Sequence, residues 1–278
     1  MSRPRAPATG DPAQAAEPWP GRRPRTECDS ALAHWYLPAP NHGPRRGGAR
    51  ADLLLLHYTG TTSALIALDW LTRRESRVSC HYLVDECGHI VQMVAESARA
   101  WHAGVSHWAA ESDINSRSIG IEIHNAGHQH GCPAFPDVQM QAVTQLCRDV
   151  VARNAIPPER VLAHSDVAPA RKLDPGERFD WHRLHLARVG HWVAPAALGA
   201  EAGLGPGDDG PAVHELQRQL QAYGYAVPQT GQFDTATEQV VRAFQRHWRP
   251  ARVDGRFDTS TADTLRRLQL ALDAHGSG

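Results

Sequence analysis

No apolar run in this chain approaches the ~20 residues that a membrane-crossing helix requires. The longest, Leu53 to Leu56, has the length of a buried strand. Net charge is nearly absent, −1 over 278 residues, which removes the electrostatic attraction expected of a nucleic-acid-binding or membrane-surface protein. There is no Cys-x-x-Cys pair, and the five cysteines (Cys28, Cys80, Cys87, Cys132 and Cys147) are odd in number. That argues against a cysteine zinc site and leaves room for two disulfides at most. The opening stretch, MSRPRAPATGDPAQAAEPWPGRRPR, lacks the apolar core of a secretory signal despite the adjacent Arg22 and Arg23. It has too little apolar surface to offset ordering entropy, and residues 1–29 are expected to form a disordered tail.

What the chain does contain is histidine, 17 residues, and tryptophan, 8. Histidine is a common zinc ligand, and tryptophan is frequent in carbohydrate-facing grooves, although most of these side chains are expected at ordinary surface positions. Residues 30–196 carry mixed helix and strand signals. ADLLLLHY reads as a buried strand ending at His57. Leu65, Leu68 and Leu71 have helical spacing, with Trp70 beside them. CHYLVD and IVQMV, separated by ECGH, read as a hairpin. SIGIEIHN is a further strand, with Ile119, Ile121 and Ile123 on one face and Glu122 on the other. Pro136 and Asp137 open a helix whose apolar stripe is Val143, Leu146, Cys147, Val150 and Val151. A short strand, VLAH, follows. The expected fold is mixed α/β, a central mixed sheet flanked by helices.

A Gly/Pro-rich stretch over 197–210 reads as a linker. Beyond it, over 211–273, GQFDTATEQVVRAFQ and GRFDTSTADTLRRLQ repeat at a spacing of 24. In each copy a glycine supplies a turn and Asp or Thr can cap a helix. With the preceding stripe Val213, Leu216 and Leu220, this predicts a small three-helix domain able to fold alone. A catalytic unit ending near Leu198 is accordingly expected to work without it.

A catalytic zinc site uses three protein ligands and keeps one position open. His57 ends one buried strand, His164 ends another in VLAHSD, and Asp174 follows in the loop HSDVAPARKLDPG, which Pro169 and Pro175 stiffen. Taken singly, each is better explained as an isolated polar residue at a strand end; together they form a ligand set. A bound zinc lowers the pKa of its water from ~15.7 towards ~7. Amide hydrolysis also needs a base and a group that steadies the oxyanion. Glu122, in an otherwise apolar strand, and Lys172, two residues before Asp174, are the candidates. Each has a plain reading as a solvated surface charge.

The blocks LHYTGT, SCHYLVDECGHIVQMV, RAWHAGVSHW, SIGIEIHNAG and HSDVAPARKLDPG, in that order, resemble the type 2 N-acetylmuramoyl-L-alanine amidases, most closely their AmpD/AmiD branch, over roughly residues 35–190. The resemblance implies one zinc per chain, bound by His57, His164 and Asp174, with Glu122 as general base on the zinc water and Lys172 at the oxyanion. It places Trp101, His102 and Asn125 along the substrate groove. It also implies hydrolysis of the amide between N-acetylmuramic acid, with its 1,6-anhydro form open, and L-alanine of the stem peptide in peptidoglycan or muropeptides. Cys80 stands where phage members have a tyrosine, which the AmpD/AmiD branch also lacks. Asp174 stands where phage and animal relatives have cysteine. The C-terminal repeat is similar to a peptidoglycan-binding module, with Thr230 replacing the usual Asp before the first turn glycine. Rival readings are a metal-free recognition protein and a sugar deacetylase; the complete ligand set with Glu122 and Lys172 opposes the first, and the five blocks oppose the second. No nucleic-acid partner is expected, and a monomer is favoured. The wall-binding module favours the periplasm or cell envelope; the absence of a recognisable signal makes the cytoplasm the alternative.

Overall fold

The computed structural model describes residues 22–23 and 25–276. Its centre is a six-stranded mixed sheet. The strands are β1 (Trp35–Tyr36), β3 (Leu53–Tyr58), β4 (Tyr82–Val84), β5 (Ile90–Gln92), β7 (Ser118–Ile123) and β8 (Val161–Ala163), in the order β1-β5-β4-β7-β3-β8. The expected hairpin is present, with β4 and β5 antiparallel and Leu83 opposite Val91. β4, β7, β3 and β8 run parallel. A separate antiparallel pair, β2 (His42–Pro44) and β6 (Ala98–Ala100), forms a second, two-stranded sheet.

Strand alternation divides β3 between two cores. Leu54 and Leu56 join Ile119, Ile121 and Ile123 under α3 (Asp137–Asn154), whose buried stripe contains Val143, Leu146, Cys147 and Val150 as its periodicity predicts. Leu53 and Leu55 face the other way, on the face that ends in His57. The first helix, α1 (Ala64–Leu71), buries Ala64, Ala67, Leu68 and Leu71 and leaves Leu65 and Trp70 about half exposed. The small residues set the buried face because they let the helix lie close to the sheet. His164 does not end β8; it opens the short helix α4 (His164–Val167), and α2 (Ile114–Arg117) and α5 (Trp181–Leu186) complete the unit.

Of the tail expected over 1–29, residues 1–21 and 24 lie outside the described residues. The described remainder is held. Arg23 pairs with Tyr36, residues 25–27 form a 3-10 turn, and Asp29 accepts from the Glu96 amide at 2.8 Å and from Gln92. Polar anchoring fixes a segment that hydrophobicity alone left without a partner.

The C-terminal repeat forms α6 (Pro211–Tyr223), α7 (Thr235–Trp248) and α8 (Thr259–Gly276). Asp234 caps α7 through the Thr237 amide at 2.9 Å, and Asp258 caps α8 through Thr261 at 2.8 Å, one repeat apart as the sequence indicates. These helices are not separate from the sheet. Leu53, Leu55, Trp108, Ile114, Leu162 and Val167 share one hydrophobic cluster with Val213, Leu220, Tyr223, Tyr225, Phe244 and Trp248. Asp166 of α4, 1% exposed, accepts from Tyr225 Oη at 2.8 Å and contacts His247 Nδ1 at 2.6 Å. The His247 ring lies between Trp181 and Trp248, centroids 3.7 and 3.6 Å away. The independence expected of the C-terminal domain is therefore not what the structure shows. The composition of 197–210 looks like a linker, but the apolar face of β3 needs cover that the helices of the repeat supply.

Candidate active site

The parallel register of β3 and β7 sets His57 beside Glu122, so both side chains emerge on one face of the sheet. The next strand contributes through its exit: β8 delivers His164, and the loop after α4 returns Asp174, whose carbonyl accepts from the Ser165 amide at 3.0 Å. His57 Nδ1 and His164 Nδ1 stand 2.8 Å apart, and Asp174 Oδ2 lies 3.1 and 3.0 Å from them. All three residues are buried.

Whether this trio suits a cation follows from where the ring protons sit. His164 Nε2 lies 3.1 Å from the Ala103 carbonyl, which can only accept, so the proton is on Nε2 and Nδ1 is bare. For His57 the proton is traced through a relay. The Ser118 hydroxyl donates to the Ile114 carbonyl at 2.6 Å, so its oxygen accepts from His102 Nε2 at 3.2 Å. His102 Nδ1 then accepts from His57 Nε2 at 3.0 Å, which leaves His57 Nδ1 bare as well. Two lone pairs and a carboxylate oxygen converge with no proton among them. That arrangement repels itself without a cation and fits a zinc ion, with outer partners fixing each ring as metal-ligating histidines require. Burial and the neighbouring His164 lower the His57 pKa to about 4.

A cavity of about 460 Å³ reaches His164 and Asp174 of the trio and is lined also by Glu122, His102 and Lys172, with Tyr58 and Trp70 on its walls. Glu122 Oε2 is buried and has no hydrogen-bond partner among the described residues. Burial, then the charge of Asp174, raises its pKa well above the ordinary carboxylate value, and Lys172 opposes the shift. A raised carboxyl with a free oxygen is what a general base near neutral pH requires.

Of the residues expected along a groove, Trp101 lines an adjoining depression with Lys172 and Arg171. His102 lines the cavity, yet its nitrogens serve His57 and Ser118. Asn125 is buried and does not line the cavity. Its amide donates to the Pro133 carbonyl at 2.9 Å and accepts from the Gly127 amide at 2.9 Å, bracing the loop after β7. Cys80 is buried with its thiol directed at the Tyr82 carbonyl, and burial, then the charge of Glu122, raises its pKa. The residue that sequence reading passed over is Gly120. A Cβ there would lie 2.5 Å from His102 Nδ1. A glycine inside a strand of isoleucines signals such close approach.

Comparison with known proteins agrees with this geometry. The family model for N-acetylmuramoyl-L-alanine amidase matches residues 47–177, and that for a peptidoglycan binding domain matches residues 209–265. The chain is 36% identical to the N-acetylmuramoyl-L-alanine amidase AmiD of Escherichia coli over 219 residues, 72% of this chain and 76% of that protein. It is 32% identical to the 1,6-anhydro-N-acetylmuramyl-L-alanine amidase AmpD of Haemophilus influenzae over 171 residues, 61% and 88% of the two chains. The structure of E. coli AmiD with the substrate anhydro-N-acetylmuramic acid-L-Ala-D-gamma-Glu-L-Lys superposes with a TM-score of 0.67 at 33% identity, covering 84% of this chain and 92% of that one. With three quarters of a relative's length matched at that identity, the chain belongs to the N-acetylmuramoyl-L-alanine amidases of the AmpD/AmiD type, with a peptidoglycan-binding module at its C-terminal end.

Proposed function

We propose that the protein hydrolyses the amide between N-acetylmuramic acid, including its 1,6-anhydro form, and the L-alanine of the stem peptide, with one catalytic zinc per chain held by His57, His164 and Asp174. The observation that carries this reading is the convergence of three proton-free donors beside a buried carboxylate oxygen with no partner. The zinc would supply Lewis-acid charge and an activated water. Glu122 takes up a proton at Oε2 as the water attacks and returns it to the departing amine; its raised pKa suits both halves of that task. Lys172, which lines the same cavity, offers its side-chain nitrogen to the oxygen of the former carbonyl, where negative charge develops. Trp70 and Trp101 present rings at the rim for sugar or peptide. The catalytic unit spans about 30–196 and the wall-binding helices 211–273, with 197–210 joining them. The substrate is peptidoglycan or a muropeptide released from it. Among the described residues no helix is long and apolar enough to cross a membrane, and action on the envelope side fits a wall-binding module.

Substitutions test the assignment. Glu122→Gln retains zinc and loses about 100- to 10,000-fold in turnover. Lys172→Ala retains zinc and loses about 100- to 1,000-fold, mainly in kcat. His57→Ala and Asp174→Ala lose zinc together with activity. Release of free peptide from an anhydro-muropeptide is measured beside metal content. Near-normal turnover in Glu122→Gln, or loss of its zinc, refutes the roles given.

A further inference from the structure

A second convergence of donors lies outside the catalytic trio. We infer that His128, Cys132 and Glu177 form a second zinc site, one that ties the loop after β7 to the loop that carries Asp174. Their ligand atoms all lie within 4.8 Å of one another. The donors are an imidazole nitrogen, a thiol sulfur and a carboxylate oxygen, a set that zinc accepts and that the sulfur makes unsuitable for magnesium or calcium.

Four features mark it as more than a chance cluster. First, His128 is oriented from behind: its Nδ1 is 3.0 Å from Tyr58 Oη, which leaves Nε2 directed at Glu177 Oε2, 3.0 Å away. A hydrogen bond on the far nitrogen is how ligating histidines are held. Second, Cys132 is buried in a left-handed conformation, φ 47°, at the end of a turn whose Gly127 and Gly131 also have positive φ, and its amide donates to the Gly127 carbonyl at 2.9 Å. The turn spends backbone strain to bring the sulfur inward. Third, Gly176 lies over the cluster; a Cβ there would stand 3.0 Å from His128 Cε1 and 3.5 Å from Cys132 Sγ. Fourth, the charges balance, since one thiolate and one carboxylate neutralise a divalent ion. Glu177 is already ionised: the His128 hydrogen bond lowers its pKa to about 2, with a smaller contribution from Arg246.

Burial and Glu177 raise the Cys132 thiol, so it is protonated without metal. Binding releases that proton to solvent, and the proton between His128 Nε2 and Glu177 moves to Nδ1, facing the Tyr58 oxygen. Because His128 and Gln129 also line the catalytic cavity, an ion here would fix one of its walls. The inference stands apart from the catalytic assignment, since it shares no ligand with it.

The test uses full-length, reduced, metal-free protein titrated with Zn²⁺ and, separately, Co²⁺. A second equivalent of zinc is expected to bind. Cobalt is expected to give a near-ultraviolet sulfur-to-metal charge-transfer band, which the His-His-Asp trio cannot produce because it holds no sulfur. The band disappears in Cys132→Ser and persists in His57→Ala. Tyr58→Phe weakens the second equivalent about 10- to 100-fold. A wild-type protein that shows no band has an ordinary His–Glu pair beside a cysteine, and the inference is wrong. A band unaffected by Cys132→Ser places the sulfur ligand elsewhere and overturns it equally.

Discussion

Gly120→Ala examines the relay that leaves His57 Nδ1 bare for the proposed zinc, without touching any proposed ligand. The new Cβ would stand 2.5, 2.6 and 2.7 Å from Nδ1, Cγ and Cε1 of His102. Carbon contacts settle at ~3.5–4.0 Å, so the ring must retreat by about 1 Å. It is not free to do so. Its nitrogens are engaged by His57 at 3.0 Å and Ser118 at 3.2 Å, and its amide donates to Asn115 Oδ1 at 3.0 Å. Either the strand moves, at about 1–3 kcal/mol for an overpacked core, or His102 swings away and His57 Nε2 loses its acceptor. The second route frees the His57 tautomer and weakens zinc by about 10- to 100-fold, the usual effect of losing an outer partner. The sign is diagnostic, because Gly→Ala in a strand with room for a methyl stabilises by about 0.4–1 kcal/mol. Zinc affinity by chelator competition and thermal stability are measured for Gly120→Ala alone and in a His102→Ala background. There the methyl has space, and the substitution should become neutral or stabilising. Unchanged zinc affinity in the single variant, or an equal penalty in both backgrounds, would refute the relay.

Other outcomes follow from the packing. Truncation after Leu198 is expected to abolish soluble, active protein: it re-exposes Leu53, Leu55, Trp108 and Val167 at about 1.5–3 kcal/mol each, comparable with the ~5–15 kcal/mol that holds a domain together. A truncated chain with full activity on small muropeptides would show the shared cluster to be dispensable. Glu96, 7% exposed, accepts from Arg153 at 2.6 and 2.7 Å, from Tyr82 Oη at 2.6 Å and from Asn154 at 2.9 Å. Burial pushes its pKa up, but these donors outweigh it and the net shift is downward. Its contribution is therefore present above the unfolded value of ~4.3 and lost as pH falls through the lower folded one. Glu96→Gln should cost about 3 kcal/mol at pH 7 in denaturant unfolding, and the gap from the parent should narrow below pH ~4. A pH-independent gap would contradict this.

The strands and long helices were legible because each buries a periodic face: Ile119, Ile121 and Ile123 against α3, and Val143 to Val150 along it. The convergence of His57, His164 and Asp174 was legible for a different reason, since polar residues at the exits of apolar strands stand out. Three matters were not. The role of His102 depends on the absence of a side chain at Gly120, which no periodicity reports. Asn125 reads as exposed polar chemistry, but its amide is spent on loop carbonyls and amides that only the folded loop brings near. The docking of the C-terminal helices on β3 was hidden because Leu53 and Leu55 read equally well as facing a helix of their own unit. Asp166 reads as an ordinary acidic residue until Tyr225 and His247, separated from it by 59 and 81 residues, arrive at its oxygens.

That shared carboxylate has a mechanical consequence. A catalytic unit on a slack tether sweeps a volume, and its local concentration falls as the tether lengthens. Here the short helix that begins with His164 and the helix that holds His247 grip the same buried group, so anchorage and blade keep one fixed vector. If the C-terminal helices hold the wall as proposed, such an enzyme would cut at a set distance from where it holds. Once the bond at that distance is gone, it must let go and land again, so tighter anchorage would slow its progress along a polymer while leaving its rate on small fragments untouched.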